Sequence, residues 1–265
     1  MLNQSLVIAR KEVIDGLRDT RSVISSLLFA LMGPLVVGLV SLAPTIRSAP
    51  GLKGSSGSPL VGLMSVFTLV AAFAGGMNVA MDTLAGERER QSLLPLLLNP
   101  VHRGDVVLGK WLAVSLFSIV GLAVNLLGFW AVFVASGMRL NAPWPRLLLA
   151  MAVGVFPLSL LAASIQLLLS TACRSVKEAQ TYLSMIVFLP MGVGMFLVFF
   201  HTAQRAWFSI LPLVGQQLHL QRLMAGRDVP LLQSIVLGCL TLALAVLVAM
   251  VSSNRLQRDE IIYGN

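Results

Sequence analysis

Residues 229–254, VPLLQSIVLGCLTLALAVLVAMVSSN, contain no Asp, Glu, Lys or Arg. A helix needs about 20 predominantly apolar residues to cross the hydrocarbon core of a bilayer, so this stretch is long enough to span one. Five further charge-free windows reach that length: 22–46, 54–81, 111–138, 147–173 and 179–204. With 57% hydrophobic residues, 11% charged residues and a mean hydropathy of +0.86, the composition lies outside the range of soluble domains. The sequence therefore predicts an all-α integral membrane protein with six transmembrane helices.

The predicted boundaries describe a single transmembrane domain over residues 1–265. Its spans are placed at 22–46, 60–81, 108–136, 147–171, 179–201 and 231–252. An interfacial helix is assigned to residues 1–21, a cytoplasmic loop to 82–107, and an extracytoplasmic re-entrant segment before the last span to 202–230. The last assignment follows because the charge-free window 206–221 has only 16 residues, several of them polar, and is too short to cross a bilayer alone.

Six spans place both chain termini on the same side of the membrane. With the termini inside, 12 of the 19 Lys and Arg residues fall on the cytoplasmic side and 7 fall outside. The positive-inside rule counts Lys and Arg rather than net charge. It therefore favours cytoplasmic termini, although ten of the eleven acidic residues lie on the same side. The formal net charge of +8 comes from scattered loop residues, so anionic membrane lipids suit it as a partner better than nucleic acid does.

The N-terminal residues form an amphipathic pattern at the helical spacing of about 100° per residue. One stripe is apolar and consists of Leu2, Leu6, Ala9, Val13, Leu17 and, at its edge, Ile14. The charged residues face away from it, namely Lys11, Glu12, Asp15, Arg18 and Asp19. The pattern favours a helix that lies in the cytoplasmic membrane interface and leads into the first span. An ordinary solvated helix beside the membrane is the alternative.

The second span carries small residues at a spacing that lets another helix approach closely. They are Ala71, Ala72, Gly75, Gly76 and Ala80. The approaching helix can belong to the same chain or to a second copy of it, and the sequence does not separate these two cases.

Apart from Lys110, near the start of the span placed at 108–136, the predicted spans contain no Asp, Glu, Lys or Arg. Ion-coupled carriers usually keep such a residue at membrane depth. The candidate substrate-pathway residues are therefore amides: Asn78, Asn125 and Gln166. Amides of this kind more often form hydrogen bonds between helices than contact a substrate.

The most charge-dense stretch of the chain is GERERQSLLPLLLNPVHRGDVVLGK, residues 86–110. Its first part can continue the second span beyond the membrane, where Glu87 and Arg90 are spaced to pair. Ser92 is placed as the N-cap of a short helix over residues 93–98, which the following Asn-Pro ends. That helix is apolar nearly all round, so it must bury itself against a membrane surface or another protein.

Catalytic motifs are weak in this chain. Residues 104–110 match the GxxxxGK pattern of a phosphate-binding loop. However, Trp111 stands where a Ser or Thr must reach magnesium, and no hydrophobic strand precedes the motif. The three histidines belong to no metal-binding or nucleophile motif. The sequence therefore assigns no catalytic residue, metal site or bound cofactor to this chain.

Residues 86–110 resemble the cytoplasmic loop of ABC transporter permeases of the type-2 exporter class, whose pattern is approximately GERExGTLExLLxxPVxRxxLLLGK. The matching residues are Gly86, Glu87, Arg88, Glu89, Leu93, Leu97, Pro100, Val101, Arg103, Leu108, Gly109 and Lys110. Three places depart from the pattern: Gln91 for Gly, Ser92 for Thr, and Leu94-Pro95 where Leu-Glu is common. The family architecture, with an amphipathic first helix, six spans and a re-entrant segment between the last two, is similar along the whole chain.

The resemblance implies that residues 93–98 form a coupling helix that docks on a separate ATP-hydrolysing subunit. The residues expected to couple the two subunits are Glu87, Arg88, Glu89, Arg90, Leu93, Leu94, Leu97, Leu98 and Arg103. ATP and Mg²⁺ would bind the ATPase, of which two copies are expected, together with a second permease subunit that is identical or different. This chain would be the non-catalytic permease of an exporter that works by alternating access in a bacterial inner membrane.

A weaker similarity lies in ILPLVGQQLHLQRLMAGRDVP, residues 210–230, which is similar to the corresponding segment of sodium-efflux permeases. It implies a small ion such as sodium, while a drug or a lipid-like substrate stays open. Those relatives often carry a larger extracytoplasmic insertion after the first span, where this chain has only residues 47–59. Two other classes stay open: a stand-alone carrier or channel driven by an ion gradient, and a membrane scaffold that recruits cytoplasmic proteins.

Overall fold

The computed structural model describes residues 2–42, 59–92, 102–136, 144–199, 206–224, 227 and 229–256. Within these ranges the chain forms eight α-helices of 11 or more residues and no strand. The helices are α1 (Leu2–Arg18), α2 (Thr20–Leu42), α3 (Pro59–Ala80), α4 (Arg103–Ser136), α5 (Trp144–Ala172), α6 (Val176–Phe199), α7 (Val214–Met224) and α8 (Leu231–Leu256). A π-helical turn, Met81–Gly86, and the residues Glu87–Glu89 extend α3, and a 3₁₀ turn, Ala206–Ser209, precedes α7.

Six of these helices are long and apolar enough to cross a membrane: α2, α3 with its extension, α4, α5, α6 and α8. Helix α1 is amphipathic and α7 is short and polar, so neither of them qualifies. The prediction of an all-α membrane protein with six spans is therefore confirmed. The predicted helix at 93–98 lies outside the described residues.

The helices on either side of the loop between α3 and α4 extend into it. Helix α3 and its extension end at Glu89, beyond the span end placed at residue 81, and α4 begins at Arg103, before the start placed at residue 108. Helices α1 and α2 are separated only by Asp19, whose carboxylate accepts the N–H of Ser22 at 3.4 Å and so caps α2. Both ends of the loop are therefore parts of the helical scaffold.

Helix α3 lies at the centre of the bundle. In its most apolar window 72% of the residues are buried, against 22% for α2 and 28% for α6 and α8. A Cβ at Gly75 would lie 2.9 Å from the carbonyl oxygen of Phe117, and one at Gly121 would lie 2.8 Å from the Cα of Gly75. The small residues of the second span therefore serve a close crossing with α4 in the same chain. All five of them are buried, so this stripe does not form a seam between two copies.

Replacing Gly75 by Ala is expected to destabilise the fold by about 1–3 kcal/mol, the usual cost of overpacking a tight site, because the new methyl group meets the α4 backbone. The matched control is Gly192→Ala, where an added Cβ has no neighbour within 4 Å and the higher helix propensity of alanine leaves stability unchanged or slightly raised. Thermal unfolding of the detergent-solubilised protein measures both variants. Equal unfolding midpoints would contradict the close crossing.

The polar helix α7 is held inside the bundle by amide hydrogen bonds to neighbouring spans. Gln216 Nε2 donates to Thr241 Oγ1 in α8 at 2.7 Å, and Gln217 Nε2 donates to the Gly194 carbonyl in α6 at 3.1 Å. His219 is buried as well, and burial lowers the pKa of its ring below the usual value. These bonds explain how a polar segment between α6 and α8 is stable among apolar helices. Its assignment as a re-entrant segment stays a prediction.

Candidate functional site

The two ends of the loop between α3 and α4 meet at a buried lysine. Lys110, two turns into α4, has a side chain with 0% exposure. Its Nζ lies 2.8 Å from Glu87 Oε2 in the α3 extension and 3.0 Å from Glu12 Oε1 in α1. It also donates to the backbone carbonyl of Thr83 at 2.6 Å. The ammonium group therefore donates hydrogen bonds to Glu12 and the Thr83 carbonyl and forms an ion pair with Glu87.

A second lysine balances the charge of this group. Lys11 in α1 has a side chain that is 55% exposed, and its Nζ lies 3.2 Å from Glu12 Oε1 and 3.4 Å from Glu87 Oε1. Partial burial alone would lower the pKa of Lys11, but the carboxylates of Glu12, Glu87 and Asp15 outweigh it and raise the pKa. The four residues Lys11, Glu12, Glu87 and Lys110 are called the ion cluster below. They carry two positive and two negative charges, which offsets the high cost of burying an unpaired ion.

Helix α1 approaches α4 closely enough for these contacts because a glycine lies at their crossing. A Cβ at Gly109 would lie 2.7 Å from the Ser5 carbonyl oxygen and 2.8 Å from Ile8 Cβ. One turn earlier in α4, Asp105 Oδ1 accepts the hydroxyl of Ser5 at 2.8 Å. The Gly-Lys pair that ends the quoted motif thus has a joint physical reason: Gly109 admits α1, and Lys110 binds its carboxylate.

Helix α1 has one face buried against α4 and another that is apolar and exposed. The face toward α4 carries Ser5, Ala9 and Glu12, each less than one tenth exposed. Leu6 and Leu17 of the apolar stripe are more than half exposed and are available to lipid, whereas Ala9 of the same stripe is buried. Glu12, which the helical wheel groups with the charged residues that face away from the apolar stripe, faces α4 and is buried there. A helical wheel sorts residues by polarity alone, and it contains no information about a buried lysine on another helix.

Two charged residues of the α3 extension fix the connection between α5 and α6. Arg88 Nη1 donates to the Cys173 carbonyl at 3.3 Å. The carboxylate of Glu89 accepts the backbone N–H of Val176, the first residue of α6, at 2.7 Å. An anionic group at a helix N-terminus is stabilised by the helix dipole. The loop end is therefore attached to a second pair of spans.

The predicted pair between Glu87 and Arg90 is wrong. Lys110 draws Glu87 toward the interior, whereas Arg90 lies on the exposed side and pairs with Asp82 at 2.8 Å, with side chains 66% and 55% exposed. Both charges of the expected pair thus have other partners, and only the inner one is desolvated.

At the other loop end, Arg103 Nη1 donates to the carbonyl of Leu256 at 3.2 Å. Leu256 is the last described residue of α8, so a basic side chain binds the carbonyl end of a helix. The four leucines expected to couple lie outside the described residues: Leu93, Leu94, Leu97 and Leu98.

The α3 extension ends in a Schellman motif. Gln91 has a φ of 56°, the N–H of Ser92 donates to the Glu87 carbonyl at 2.9 Å, and the N–H of Gln91 donates to the Arg88 carbonyl at 3.1 Å. The hydroxyl of Ser92 donates to the same Glu87 carbonyl at 3.2 Å, so Ser92 helps to close the helix before it. A left-handed residue at this position is usually glycine. This accounts for the glycine in the family pattern, from which Gln91 departs.

Replacing Gln91 by Gly is expected to stabilise the protein by about 1 kcal/mol, because a non-glycine residue pays roughly 1–2 kcal/mol for left-handed geometry. The matched control is Gln91→Ala, which keeps a Cβ at the residue with positive φ and is therefore expected to bring no such gain. Thermal unfolding in detergent measures both. A Gln91→Gly variant no more stable than Gln91→Ala would show that the helix end is not strained.

The three candidate pathway amides each bind a neighbouring helix. Asn78 Nδ2 donates to one carbonyl and two hydroxyls of α2 at 2.7 to 3.0 Å. Asn125 Nδ2 donates to the Ala30 carbonyl at 2.7 Å, and Gln166 Nε2 donates to the Phe73 carbonyl. The amides thus join α2 to α3, α2 to α4, and α3 to α5. Their contact with a substrate stays a prediction.

Sequence reasoning missed Glu12 and Lys110 as parts of one site. Lys110 was visible only as the last residue of the loop motif and as the border of the charge-free window 111–138. A lysine directly beside a long apolar window is a usable signal, because such a side chain must either reach water or find a carboxylate. The signal does not say which carboxylate.

Replacing Lys110 by Met is expected to destabilise the protein by about 3–5 kcal/mol, because Glu12 and Glu87 would stay buried without the ammonium group between them. The matched control is Lys11→Met, which removes a mostly exposed partner of the same carboxylates and is expected to cost about 0–1 kcal/mol. Thermal unfolding compares the two. Equal losses of stability would mean that the buried Lys110 contributes no more to stability than the exposed Lys11 does.

The ion cluster lies within the part of this chain that matches a known protein family. The family described as "ABC-2 family transporter protein" matches residues 6–225. The "ABC transporter permease protein NatB" of Bacillus subtilis (strain 168) is 35% identical over 159 residues, which cover 58% of this chain and 41% of that protein. The "Probable ABC transporter permease protein NosY" of Stutzerimonas stutzeri is 38% identical over 130 residues, 48% of this chain and 44% of that protein. The chain thus spans less than half the length of these two curated relatives.

Proposed function

Because the chain belongs to the ABC-2 family of transporter proteins, we propose that it is the membrane permease subunit of an ATP-driven ABC exporter. Beyond the family match, the proposal rests on how the loop between α3 and α4 is attached to the helices. The ion cluster joins Glu87, before the apolar segment 93–98, to Lys110, after it, and fixes both to α1. A loop held rigidly at both ends transmits a push to the spans, whereas a loosely tethered loop absorbs it.

The proposed complex contains two ATPase subunits and a second permease subunit, identical to this chain or different from it. ATP and Mg²⁺ bind the ATPases, and this chain is not catalytic. Six spans are few for enclosing a pathway, while two permeases can line one at their shared face. Both termini are placed in the cytoplasm, with the apolar stripe of α1 against the lipids of the inner membrane.

The docking contact is assigned to the apolar residues of the loop, Leu93, Leu94, Leu97 and Leu98. A short apolar helix needs a groove to leave water, and a groove on the ATPase supplies it. The charged residues on either side are proposed to couple the ATPase to the spans by bonding to other helices of this chain. Glu87, Arg88, Glu89 and Arg103 position the loop, and Arg90, with a side chain 66% exposed, remains available at the rim of the contact.

The proposed substrate is a small ion such as sodium, with a drug or a lipid-like molecule as the other candidates. Support comes from the similarity of residues 210–230 to sodium-efflux permeases. A second support is chemical: the side-chain oxygens of Asn125 and Gln166 are buried and have no hydrogen-bond donor among the described residues. Amide oxygens of this kind suit a hard cation. Together with Asn78, these residues are the candidates for the pathway, which opens alternately to the two sides of the membrane.

Replacing Leu97 by Asp is expected to separate this chain from its ATPase, because a carboxylate cannot enter an apolar groove without losing its hydration. Co-purification from membranes measures the association, and ATP-dependent movement of radioactive sodium into inside-out vesicles measures transport. At least a tenfold loss of both is expected.

The matched control is Leu97→Met, which keeps the size and apolar character of the side chain and is expected to behave like the parent chain. Unchanged association and transport by the Leu97→Asp variant would contradict the docking role. Transport by the purified chain alone, without any ATPase, would favour a stand-alone carrier.

A further inference from the structure

The backbone of the α3 extension departs from a regular α-helix at the π-helical turn Met81–Gly86. The N–H of Glu87 donates to the Leu84 carbonyl, three residues back. In a regular α-helix it would donate to the Thr83 carbonyl, four residues back. That carbonyl accepts Lys110 Nζ at 2.6 Å. A side chain of α4 therefore takes the place of a hydrogen bond of the helix ladder.

A second neighbouring helix binds the same turn. The N–H of Ala85 donates to the hydroxyl of Ser170, in α5, at 3.1 Å. Both residues are buried, so water does not compete for this bond. Single π-helical turns inside α-helices are rare and occur frequently at functional sites. Here side chains of two other spans, α4 and α5, hold the turn in its π register.

We propose that this turn is a register switch, which changes between π and α geometry when the loop is pushed and thereby rotates the loop end against α3. The proposal rests on the proposed function, because the ATPase supplies the push. One residue of an α-helix corresponds to a rotation of about 100° and a rise of about 1.5 Å. A change from π to α geometry takes up the extra residue of the turn. This change would move Glu87 away from Lys110. It would also change the direction in which the segment 93–98 leaves the helix.

In both the π and the α register, the backbone N–H and C=O groups of the turn can form hydrogen bonds, as a two-state element requires. In the π register, Lys110 and Ser170 bind backbone groups of the turn. In the α register, the helix ladder binds them. Lys110 keeps Glu12 in both registers, because that contact joins α1 to α4 and does not involve α3. The ion cluster can therefore open at Glu87 while the carboxylate of Glu12 still compensates the charge of the ammonium group, and Lys110 and Ser170 are positioning residues for coupling.

The test removes the extra residue of the turn. Ala85 has the smallest side chain of the buried residues in the turn, apart from Gly86. Its deletion is expected to leave a permanent α-helix. Spin labels at Ser92→Cys and Asn254→Cys, both exposed positions, report the distance from the loop end to α8 in the complex with the ATPase. The native Cys173 and Cys239 are replaced by Ala. Between the nucleotide-free and the ATP–vanadate states, the parent chain is expected to change this distance by several ångströms, and the deletion variant is expected to show no change while still binding the ATPase.

A second pair of variants keeps the chain length. Ser170→Ala removes only the hydroxyl that binds the turn, so the nucleotide-free distance is expected to shift toward the ATP–vanadate value. Ser159→Ala is the matched control, because that hydroxyl lies in the same helix, is equally buried and, among the described residues, bonds only to the carbonyl of Val155 one turn earlier. It is expected to leave the distance unchanged.

The outcomes separate the two proposals. If the parent chain binds the ATPase without a change in distance, or if the deletion variant moves as the parent does, the register switch is overturned and the proposed function stands. If the parent chain does not bind an ATPase at all, the proposed function is overturned. If the Ala85 deletion fails to fold, equal distances for Ser170→Ala and Ser159→Ala overturn the switch.

Discussion

A lysine buried away from water needs polar partners and compensating charge, and Lys110 finds them on two other helices. Glu12 lies on α1, while Glu87 and the Thr83 carbonyl both lie in the α3 extension, the latter within its π turn. One ammonium group therefore joins α1, α3 and α4 at the edge of the membrane. The arrangement is stable as a set, because loss of the cation leaves two carboxylates without compensation.

Other contacts support this one and attach the loop to the remaining helices. Gly109 lets α1 cross α4 at the distance that the lysine requires, and Arg88 and Glu89 attach the same loop end to the connection between α5 and α6. Arg103 attaches the other end to α8. All five spans outside α2 thus share in holding the loop through named bonds or through their own ends. In the proposed exporter, this arrangement would transmit a push on one short segment to the whole bundle.

Much of the fold follows from the sequence alone. Charge-free windows of sufficient length identify the six spans, because the bilayer imposes a minimum length and excludes unpaired charges. The quoted loop motif also locates the site. The partners inside the site do not follow, since Lys110 and Glu12 lie 98 residues apart and several carboxylates near the membrane surface have the same chemistry. The stripe around Gly75 predicts a close helix crossing but not its partner, because apolar spans resemble one another and only the packed bundle distinguishes α4 from a second copy.

The central claim is that the apolar segment after α3 is seated on a nucleotide-hydrolysing subunit. The most direct measurement places a benzophenone amino acid at Leu98, irradiates intact membranes and identifies the cross-linked product by mass spectrometry. We expect a covalent adduct with a separate protein that carries an ATP-binding loop, and a lower yield when that protein is absent. Adducts with lipid alone, at the same yield whether or not an ATPase is present, would contradict the claim.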